Sequence, residues 1–287
     1  MEDRLKKFAR LVDAGSYTKA AQELHTSQPA LSNAIQKLER ELKAKLLIRG
    51  VHAFRLTEAG QIAYAHGHKL LLMEQNLSNS MLTITGHKQS FSLGCIDSIA
   101  DVIVKANLLE ILERDSSVSL HVQSSSVLLE QLKKGNLDLA IIARQVNLSS
   151  NILSQDIGRE RFALVCSYAN KDLFASQLRK SILTNFLAYN MGSTTQMLVQ
   201  AQLEAQHLTQ EAHFYSTNPS VLLELALQGK GVTALPRRYV ESRLGTTLSE
   251  LPLTKPITRP VDVIWHENRT LPFSAKEFIF RLSQEFI

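Results

Sequence analysis

The sequence predicts an α/β protein in two parts: an all-helical N-terminal region, followed by a larger C-terminal domain in which strands and helices alternate. The 287 residues are enough for two domains that each bury a core. The excess positive charge lies in the N-terminal third, because residues 1–88 hold 13 Lys and Arg against 8 Asp and Glu, while residues 89–287 hold 19 of each. The hydrophobic period also changes from helical to strand-like near residue 89.

Composition narrows the class of protein. A hydrophobic content of 44% and a charged content of 21% are typical of a globular chain rather than a disordered one. There is no run of about 18 apolar residues and no apolar segment behind the acidic start, so we expect a cytoplasmic protein without a membrane span. Cys95 and Cys166 lack paired spacing, which predicts two buried free thiols.

A proline in an otherwise helical stretch marks the start of a helix. Pro29 is tolerated only in a first turn, and Ser27 stands where an N-cap is needed. Residues 18–24 form a shorter helical pattern that ends just before this cap. Two short helices joined by a tight turn form a helix-turn-helix. The second helix is expected to bury one apolar stripe, made of Leu31, Ile35, Leu38 and Leu42.

In a helix-turn-helix the second helix enters the major groove of DNA. The residues expected to face the groove are Gln28, Pro29, Ser32, Asn33, Gln36 and Lys37. Phosphate contacts are expected from Ser16, Thr18, Lys19, Thr26 and Ser27. The alternative is that the same residues form only the solvated face of an amphipathic helix. The basic charge of the segment favours binding to double-stranded DNA.

Residues 5–60 carry an ordered set of further positions. These are Leu5, Phe8, Gly15-Ser16-Tyr17, Ala20-Ala21, Leu24, Ser27-Gln28-Pro29-Ala30-Leu31-Ser32, Leu38-Glu39, Leu42, Leu46, Arg49 and Leu56-Thr57-Glu58-Ala59-Gly60. This segment resembles the winged helix-turn-helix of the LysR-type transcriptional regulators. The resemblance implies a wing over residues 49–57, with Arg49, His52 and Arg55 near phosphates or the minor groove and Thr57 capping the next helix.

Two positions depart from the pattern of that family. Lys43 stands where the family usually has a glycine that ends the recognition helix in a left-handed conformation, and Leu47 stands where it usually has Phe. A left-handed conformation costs a lysine roughly 1 kcal/mol, so either Lys43 accepts this strain or the helix ends differently.

Residues 58–85 are expected to form one long helix. Its stripe consists of Ala59, Ile62, His66, Lys69, Met73, Leu77, Ser80 and Ile84, widened by Leu70 and Met81. The helix packs either on its own domain or on a second copy, and the resemblance favours a homodimer through this helix, with pairing into a homotetramer. We therefore divide the chain into a DNA-binding domain (1–58), a linker helix and hinge (59–88) and a C-terminal domain (89–287).

The C-terminal domain shows the alternation expected of a parallel sheet covered by helices. Residues 90–96, 117–123 and 137–143 are predicted strands, and residues 101–114 and 128–134 are predicted helices. The segments Gly135-Asn-Leu-Asp-Leu-Ala-Ile141 and Gly229-Lys-Gly-Val-Thr-Ala-Leu-Pro236 resemble the two-lobed effector-binding domain of the same family, which is similar to periplasmic solute-binding proteins. The resemblance implies lobe I over about 90–160 and 263–287 and lobe II over about 161–262, with crossover strands near 161–165 and 260–264.

Ligands of such sheets sit at the carboxyl ends of strands, beside helix N-termini. The candidate effector-binding residues at these ends are Asp97, Ser98, Ile99, Ser124, Ser125, Ala143, Arg144, Gly192, Ser193, Thr194, Thr195, Ser216, Thr217 and Asn218. The hydroxyl groups suit a small carboxylate, whereas Asp97 would repel a bare anion and favours an amino acid or an uncharged ligand. The same hydroxyls serve equally well as helix caps.

Other function classes find less support. The nine histidines do not show metal-ligand spacing, and the P-loop and nucleophile-elbow motifs are absent, so we expect no metal, no cofactor and no enzymatic activity. A solute-binding protein of a transport system would have a signal peptide and no basic N-terminal module. The sequence therefore predicts a transcription regulator, activator or repressor, that responds to a small molecule, with RNA polymerase as a further candidate partner.

Overall fold

The computed structural model describes residues 1–49 and 54–286, and its N-terminal part is a helical bundle with a two-stranded wing. Its elements are α1 (Glu2–Ala14), α2 (Tyr17–Glu23), α3 (Gln28–Leu42), β1 (Leu47–Arg49), β2 (Phe54–Leu56) and the long α4 (Glu58–Ile84). Phe8, Leu11, Ala20, Leu31 and Leu38 meet in one buried cluster. The packing of small residues of α2 against α3 brings the two helices of the motif together.

The boundaries of these helices follow from local chemistry. Ser16 and Ser27 accept hydrogen bonds from Lys19 N and Ala30 N, so both act as N-caps. The cap at Ser27 was predicted, whereas the cap at Ser16 was not. Gly15 ends α1 with φ of 69°, a conformation that glycine adopts without strain. Lys43 ends α3 in the same left-handed region, with φ of 52° and ψ of 31°. The lysine therefore accepts the strain, and the recognition helix ends where the family glycine would end it.

The C-terminal part is built on a sheet of nine strands among the described residues. In chain order the elements are β3 (Gln89–Cys95), α5 (Asp97–Lys105), α6 (Leu109–Glu113), β4 (Ser116–Val122), α7 (Ser125–Lys133), β5 (Leu139–Ala143), β6 (Ile152–Ser167), α8 (Lys171–Arg179), β7 (Ile182–Tyr189), α9 (Thr194–Glu204), β8 (Thr209–Ser216), α10 (Pro219–Leu227), β9 (Val232–Pro236), α11 (Arg237–Val240), β10 (Leu248–Glu250), β11 (Ile257–His266) and α12 (Phe273–Gln284). Their spatial order is β4-β3-β5-β11-β6-β9-β7-β8, with β10 on β6.

Two long strands connect two separate hydrophobic cores. One core is formed by residues between Phe91 and Ile157 together with residues from Val261 onward, and the other by residues between Phe162 and Ile257. The strands β6 and β11 run antiparallel through both cores, with a register shift between Val261 and Asp262. They contain the two predicted crossover segments. Cys95 and Cys166 are buried free thiols, as predicted, and burial raises the pKa of Cys95 to about 12.

Three expectations about the fold were wrong in detail. The sheet is mixed rather than parallel, because both crossover strands run antiparallel to their neighbours. The helix predicted over 101–114 is two helices, since Asn107 adopts φ of 54° between α5 and α6, and α5 begins earlier, at Asp97. Leu42, expected in the buried stripe of α3, is 37% exposed because α3 ends beyond the core at this residue.

The long helix α4 also contacts the C-terminal domain. Asn76 donates from Nδ2 to the carbonyl of Asn268 at 2.5 Å, and its Oδ1 lies 3.4 Å from both Thr270 N and Arg269 Nη1. Arg269 in turn forms a buried ion pair with Asp138. These contacts tie the second half of α4 to the core that contains β3. No helix in the described ranges is both long and apolar enough to cross a membrane.

Candidate DNA-binding surface and ligand cleft

The polar face of α3 points away from the core and into solvent. Burial of Leu31, Ile35 and Leu38 fixes the rotation of the helix. This rotation exposes five of the six residues expected to face the groove, namely Gln28, Pro29, Asn33, Gln36 and Lys37. The sixth, Ser32, is half-buried. The helix therefore presents amide, hydroxyl and ammonium groups along one continuous surface from Gln28 to Lys37.

The residues expected to contact phosphate lie around the start of α2 and α3. Thr18 and Lys19 are exposed, while Thr26 is half-buried. The hydroxyls of Ser16 and Ser27 already accept backbone hydrogen bonds at 3.5 Å and 3.2 Å. A serine hydroxyl can still donate its own proton while it caps a helix, so capping leaves both residues able to bind an anion.

The wing is a short hairpin whose paired residues include Ile48 and Arg55. Arg55 is exposed, and the backbone of Arg49 pairs with Phe54. His52, the third residue expected near phosphates, lies outside the described residues. After the wing, Thr57 Oγ1 accepts from Gly60 N at 2.9 Å, which is the predicted cap of α4.

Close packing holds α4 against the start of the wing. A Cβ atom at Gly60 would lie 2.1 Å from the carbonyl oxygen of Leu46, so only glycine allows this approach. The half-buried carboxylate of Asp13 in α1 accepts from Tyr64 Oη at 2.6 Å and lies 3.0 Å from His68 Nε2. The DNA-binding helices and the first half of α4 therefore form one packed body.

The predicted stripe of α4 is uncovered in a single chain. Ile62, Met73, Leu77, Met81 and Ile84 are each more than half exposed, and Ile84 reaches 78%. Ile62 and Met73 border an apolar cavity of about 470 Å³ between α4 and the end of α3. Large apolar side chains in a row at helical spacing are typical of a surface that a second protein chain covers.

A cavity of about 350 Å³ lies between the two cores of the C-terminal domain. Four helices, α5, α7, α9 and α10, begin with a residue that lines this cavity. Of the predicted effector-binding residues, the cavity is lined by Asp97, Ser98, Ser124, Ser125, Gly192, Ser193, Thr194, Thr195 and Thr217. Sequence positions up to 120 residues apart are thus brought to one place.

Five predicted residues are not in the lining of this cavity. Ile99 is fully buried in the hydrophobic core, and Ala143 is the last residue of the buried strand β5. Arg144 is bound by carboxylates instead, with Nη2 2.7 Å from Asp262 and 2.6 Å from Asp156. The remaining two are at the start of α10, where Ser216 Oγ accepts from Asn218 N and Asn218 caps the helix through Ser220 N.

The cleft contains a cation that the sequence reasoning missed. Arg259 lies in β11, is 5% exposed and contacts residues from both sides of the cavity. Its guanidinium pairs with Glu160, with Nε 3.1 Å from Oε2, and donates to Ser98 Oγ at 2.9 Å and Thr195 Oγ1 at 2.8 Å. It also lies over the ring of Phe162. The available signal was a single arginine inside an apolar strand, since buried arginines are rare unless paired.

Several hydroxyls in the cleft support the fold. Ser125 Oγ accepts from Ala143 N at 3.1 Å, Ser193 Oγ accepts from Gln196 N at 3.1 Å, and Thr194 accepts from Gln145 at 3.3 Å. Of these three side chains only Ser193 caps a helix, whereas Ser125 binds the end of β5 and Thr194 binds the side chain of Gln145. Each hydroxyl still has its own proton free to donate. Asp97 stands at the start of α5. Its side chain is exposed at the mouth, yet the surrounding protein removes enough water to raise its pKa, and the charge of Arg259 opposes that rise.

Comparisons with known proteins match both parts of the chain. Residues 3–61 match the bacterial regulatory helix-turn-helix protein, lysR family, and residues 85–286 match the LysR substrate binding domain. A similar protein is the nitrogen assimilation regulatory protein nac of Klebsiella aerogenes, 28% identical over 253 residues that cover 84% of this chain and 80% of nac.

Solved structures show the same fold over nearly the whole length. LysG of Corynebacterium glutamicum, solved with bound effector Arg, is 15% identical with a TM-score of 0.70 and 99% and 98% coverage of the two chains. Vibrio fischeri DarR, solved in complex with DNA, is 17% identical with a TM-score of 0.56 and 99% and 98% coverage. Because the two family models together span nearly the whole sequence, the chain belongs to the LysR family of DNA-binding transcriptional regulators.

Proposed function

We propose that this regulator is a cytoplasmic protein that binds operator DNA as a dimer and responds to an amino acid in the cleft between its lobes. The observation that supports this effector class is that a carboxylate, Asp97, lies in one cavity with the N-termini of four helices. Helix N-termini and hydroxyl donors favour the carboxylate of a ligand. Asp97 favours an ammonium group, and no side chain in the described part of the chain hydrogen-bonds to its carboxylate.

The cavity volume of about 350 Å³ fits a single small molecule. The arginine bound by the structural neighbour LysG is an amino acid, which adds support for this class. A carboxylic acid without an amino group is the second candidate, and it would use the same hydroxyls. No catalytic role is proposed for this cavity.

The DNA-binding arrangement follows from the two exposed faces described above. We propose that the groove-facing residues of α3, together with Arg49 and Arg55 of the wing, contact the operator, and that the uncovered stripe of α4 forms the dimer. Pairing of two α4 helices would align two α3 helices with half-sites about one helical turn apart. We propose that the DNA-binding domain spans residues 1–58, the linker helix and hinge residues 59–88, and the effector-binding domain residues 89–287. We also propose that two dimers associate into a tetramer.

Thermal unfolding of the full chain against amino acids, organic acids and sugars tests the effector class. A ligand at 100 times its Kd adds about 2.7 kcal/mol to the stability of the folded state, which corresponds to a rise in Tm of roughly 5–10 °C. We expect an amino acid to give this rise, and Asp97→Asn to weaken it by removing the partner of the ammonium. A rise with organic acids that is unchanged in Asp97→Asn would assign a plain carboxylate instead. A flat panel would contradict both.

A further inference from the structure

A second cavity lies on the other side of the buried pair that borders the cleft. Its volume is about 830 Å³, compared with about 350 Å³ for the cleft, and it is open to solvent. Its walls are α5, the middle of β6, α11 and the C-terminal residues Glu285 and Phe286. This volume lies within the range of small-molecule binding pockets.

Basic side chains from three elements line the second cavity. They are Lys105 of α5, Arg159 and Arg161 of β6, and Arg237 and Arg238 of α11. Arg159 is exposed, and within residues 1–49 and 54–286 no carboxylate oxygen lies within 4.0 Å of its guanidinium nitrogens. The guanidinium of Arg161 is 3.9 Å from Glu250, at the limit of an ion pair. These two arginines therefore retain most of their capacity to bind an anion.

The other three cations have carboxylate partners at the solvent. Lys105 pairs with Asp101 at 3.2 Å, Arg237 with Glu241 at 2.8 Å and with Glu250 at 3.3 Å, and Arg238 with Glu285 at 3.4 Å. Exposed pairs of this kind contribute little net free energy, so a ligand that offers more negative charge can exchange with the carboxylates. Guanidinium groups bind phosphate oxygens in a bidentate manner, which makes a phosphate a better partner than a single carboxylate.

The two cavities share one wall. Glu160 lines the second cavity, Arg259 lines the cleft, and the two form a buried ion pair. Ser98 borders both cavities and accepts a hydrogen bond from Arg259. Negative charge placed beside Glu160 repels its carboxylate toward Arg259. A single ion pair therefore separates an anion in the second cavity from a ligand in the cleft.

We propose that the second cavity is a binding site for a small phosphorylated metabolite, and that the bound phosphate acts on the cleft through the Glu160–Arg259 pair. The phosphate contacts Arg159 and Arg161 first and then recruits Arg237 from Glu241. Because its charge lowers the electrostatic potential at Arg259, it weakens the binding of a carboxylate in the cleft, and the coupling is reciprocal. The coupling rests on the proposed function of the cleft, whereas phosphate binding does not.

Pyrophosphate is the probe for this site, measured on the full chain by hydrogen exchange with mass spectrometry. We expect pyrophosphate to protect residues 97–105 and 237–243, separately from any protection of the basic helices at 17–42. Arg159→Ala is expected to weaken this protection about tenfold in pyrophosphate concentration, because one charge-assisted contact is lost. Arg179→Ala, which removes an exposed arginine of α8 outside both cavities, serves as the matched control and leaves it unchanged.

A variant that is expected to bind pyrophosphate more tightly provides a second test. Glu241→Gln removes a carboxylate that is 62% exposed on the rim and competes for Arg237, so it is expected to tighten pyrophosphate binding several-fold. Equal effects of Arg159→Ala and Arg179→Ala would mean that pyrophosphate binds only as an adventitious ion, and would overturn the site. An absence of protection at residues 97–105 and 237–243 would overturn it as well.

The effect on the cleft has its own measurement. The Nε–H resonance of Arg259, assigned in arginine-labelled protein by comparison with Arg259→Lys, is expected to shift when pyrophosphate is added, and the shift is expected to require Arg159. An unmoved resonance at saturating pyrophosphate overturns the coupling. Because no cleft ligand is needed, a failed amino-acid screen leaves these results standing, and a failed pyrophosphate experiment leaves the amino-acid proposal standing.

Discussion

On α3 the polar side chains proposed to contact the bases of DNA are separate from those that hold the fold, whereas in the cleft the same side chains do both. Asn33 and Gln36 are exposed on α3, while Leu31, Ile35 and Leu38 on its other face form the core. In the cleft, Arg259 lines the cavity and also joins Ser98 and Thr195 across it. Substitutions should therefore separate binding from stability in the first region and affect both in the second.

The largest effect is expected for Arg259→Met. Removal of the guanidinium leaves Glu160, 4% exposed, without its cation, and loss of one partner of a buried pair costs about 3–5 kcal/mol of unfolding free energy. Urea unfolding followed through Trp265, on the same strand, measures this loss in the C-terminal domain. Arg161→Met is the control, because its side chain is 60% exposed and its nearest carboxylate is 3.9 Å away. Similar stabilities for the two variants would remove Arg259 from its structural role.

The second-largest effect is expected in the helix-turn-helix, and it concerns DNA binding alone. Asn33→Ala is expected to reduce discrimination between the operator and a variant operator by about 1–3 kcal/mol, because an asparagine amide can form a bidentate contact with adenine. Its unfolding free energy should change by less than about 0.5 kcal/mol, since the residue is exposed. Fluorescence anisotropy with the two DNA duplexes checks this. Unchanged discrimination would exclude Asn33 from base readout.

A smaller effect concerns the backbone at the end of α3. Lys43→Gly is expected to stabilise the N-terminal domain by about 0.5–1 kcal/mol, because glycine adopts φ of 52° without the strain that lysine bears there. Hydrogen exchange of the α3 amides should slow accordingly. Lys37→Gly, in the interior of the same helix, provides a control of opposite sign, with a loss of about 1 kcal/mol. Faster exchange in Lys43→Gly would mean that its side chain makes a compensating contact.

The same contrast explains which parts of the molecule were predictable. A local period of 3.6 residues was sufficient to place the buried and exposed faces of α3, and Ser27 was sufficient to place its start. The cleft depends on topology, since Arg144 and Arg259 are both in the C-terminal domain and only the pairing of β11 with β5 and β6 decides which one reaches the cavity. The break at Asn107 was missed because the apolar period continues from α5 into α6.

The smallest expected effect tests whether the exposed residues around α2 act through charge alone. Lys19 is exposed, and its ammonium is 4.0 Å from Glu23, too far for a strong pair. Lys19→Ala is expected to weaken binding to operator and to unrelated DNA equally, and to reduce the slope of log K against log salt by about 1, as expected for one lost phosphate contact. Glu23→Ala should act in the opposite direction, because it frees the same lysine. A loss of binding that is larger for the operator than for unrelated DNA would instead give Lys19 a role in base recognition. Lys19 would then serve two purposes at once, as the side chains of the cleft do.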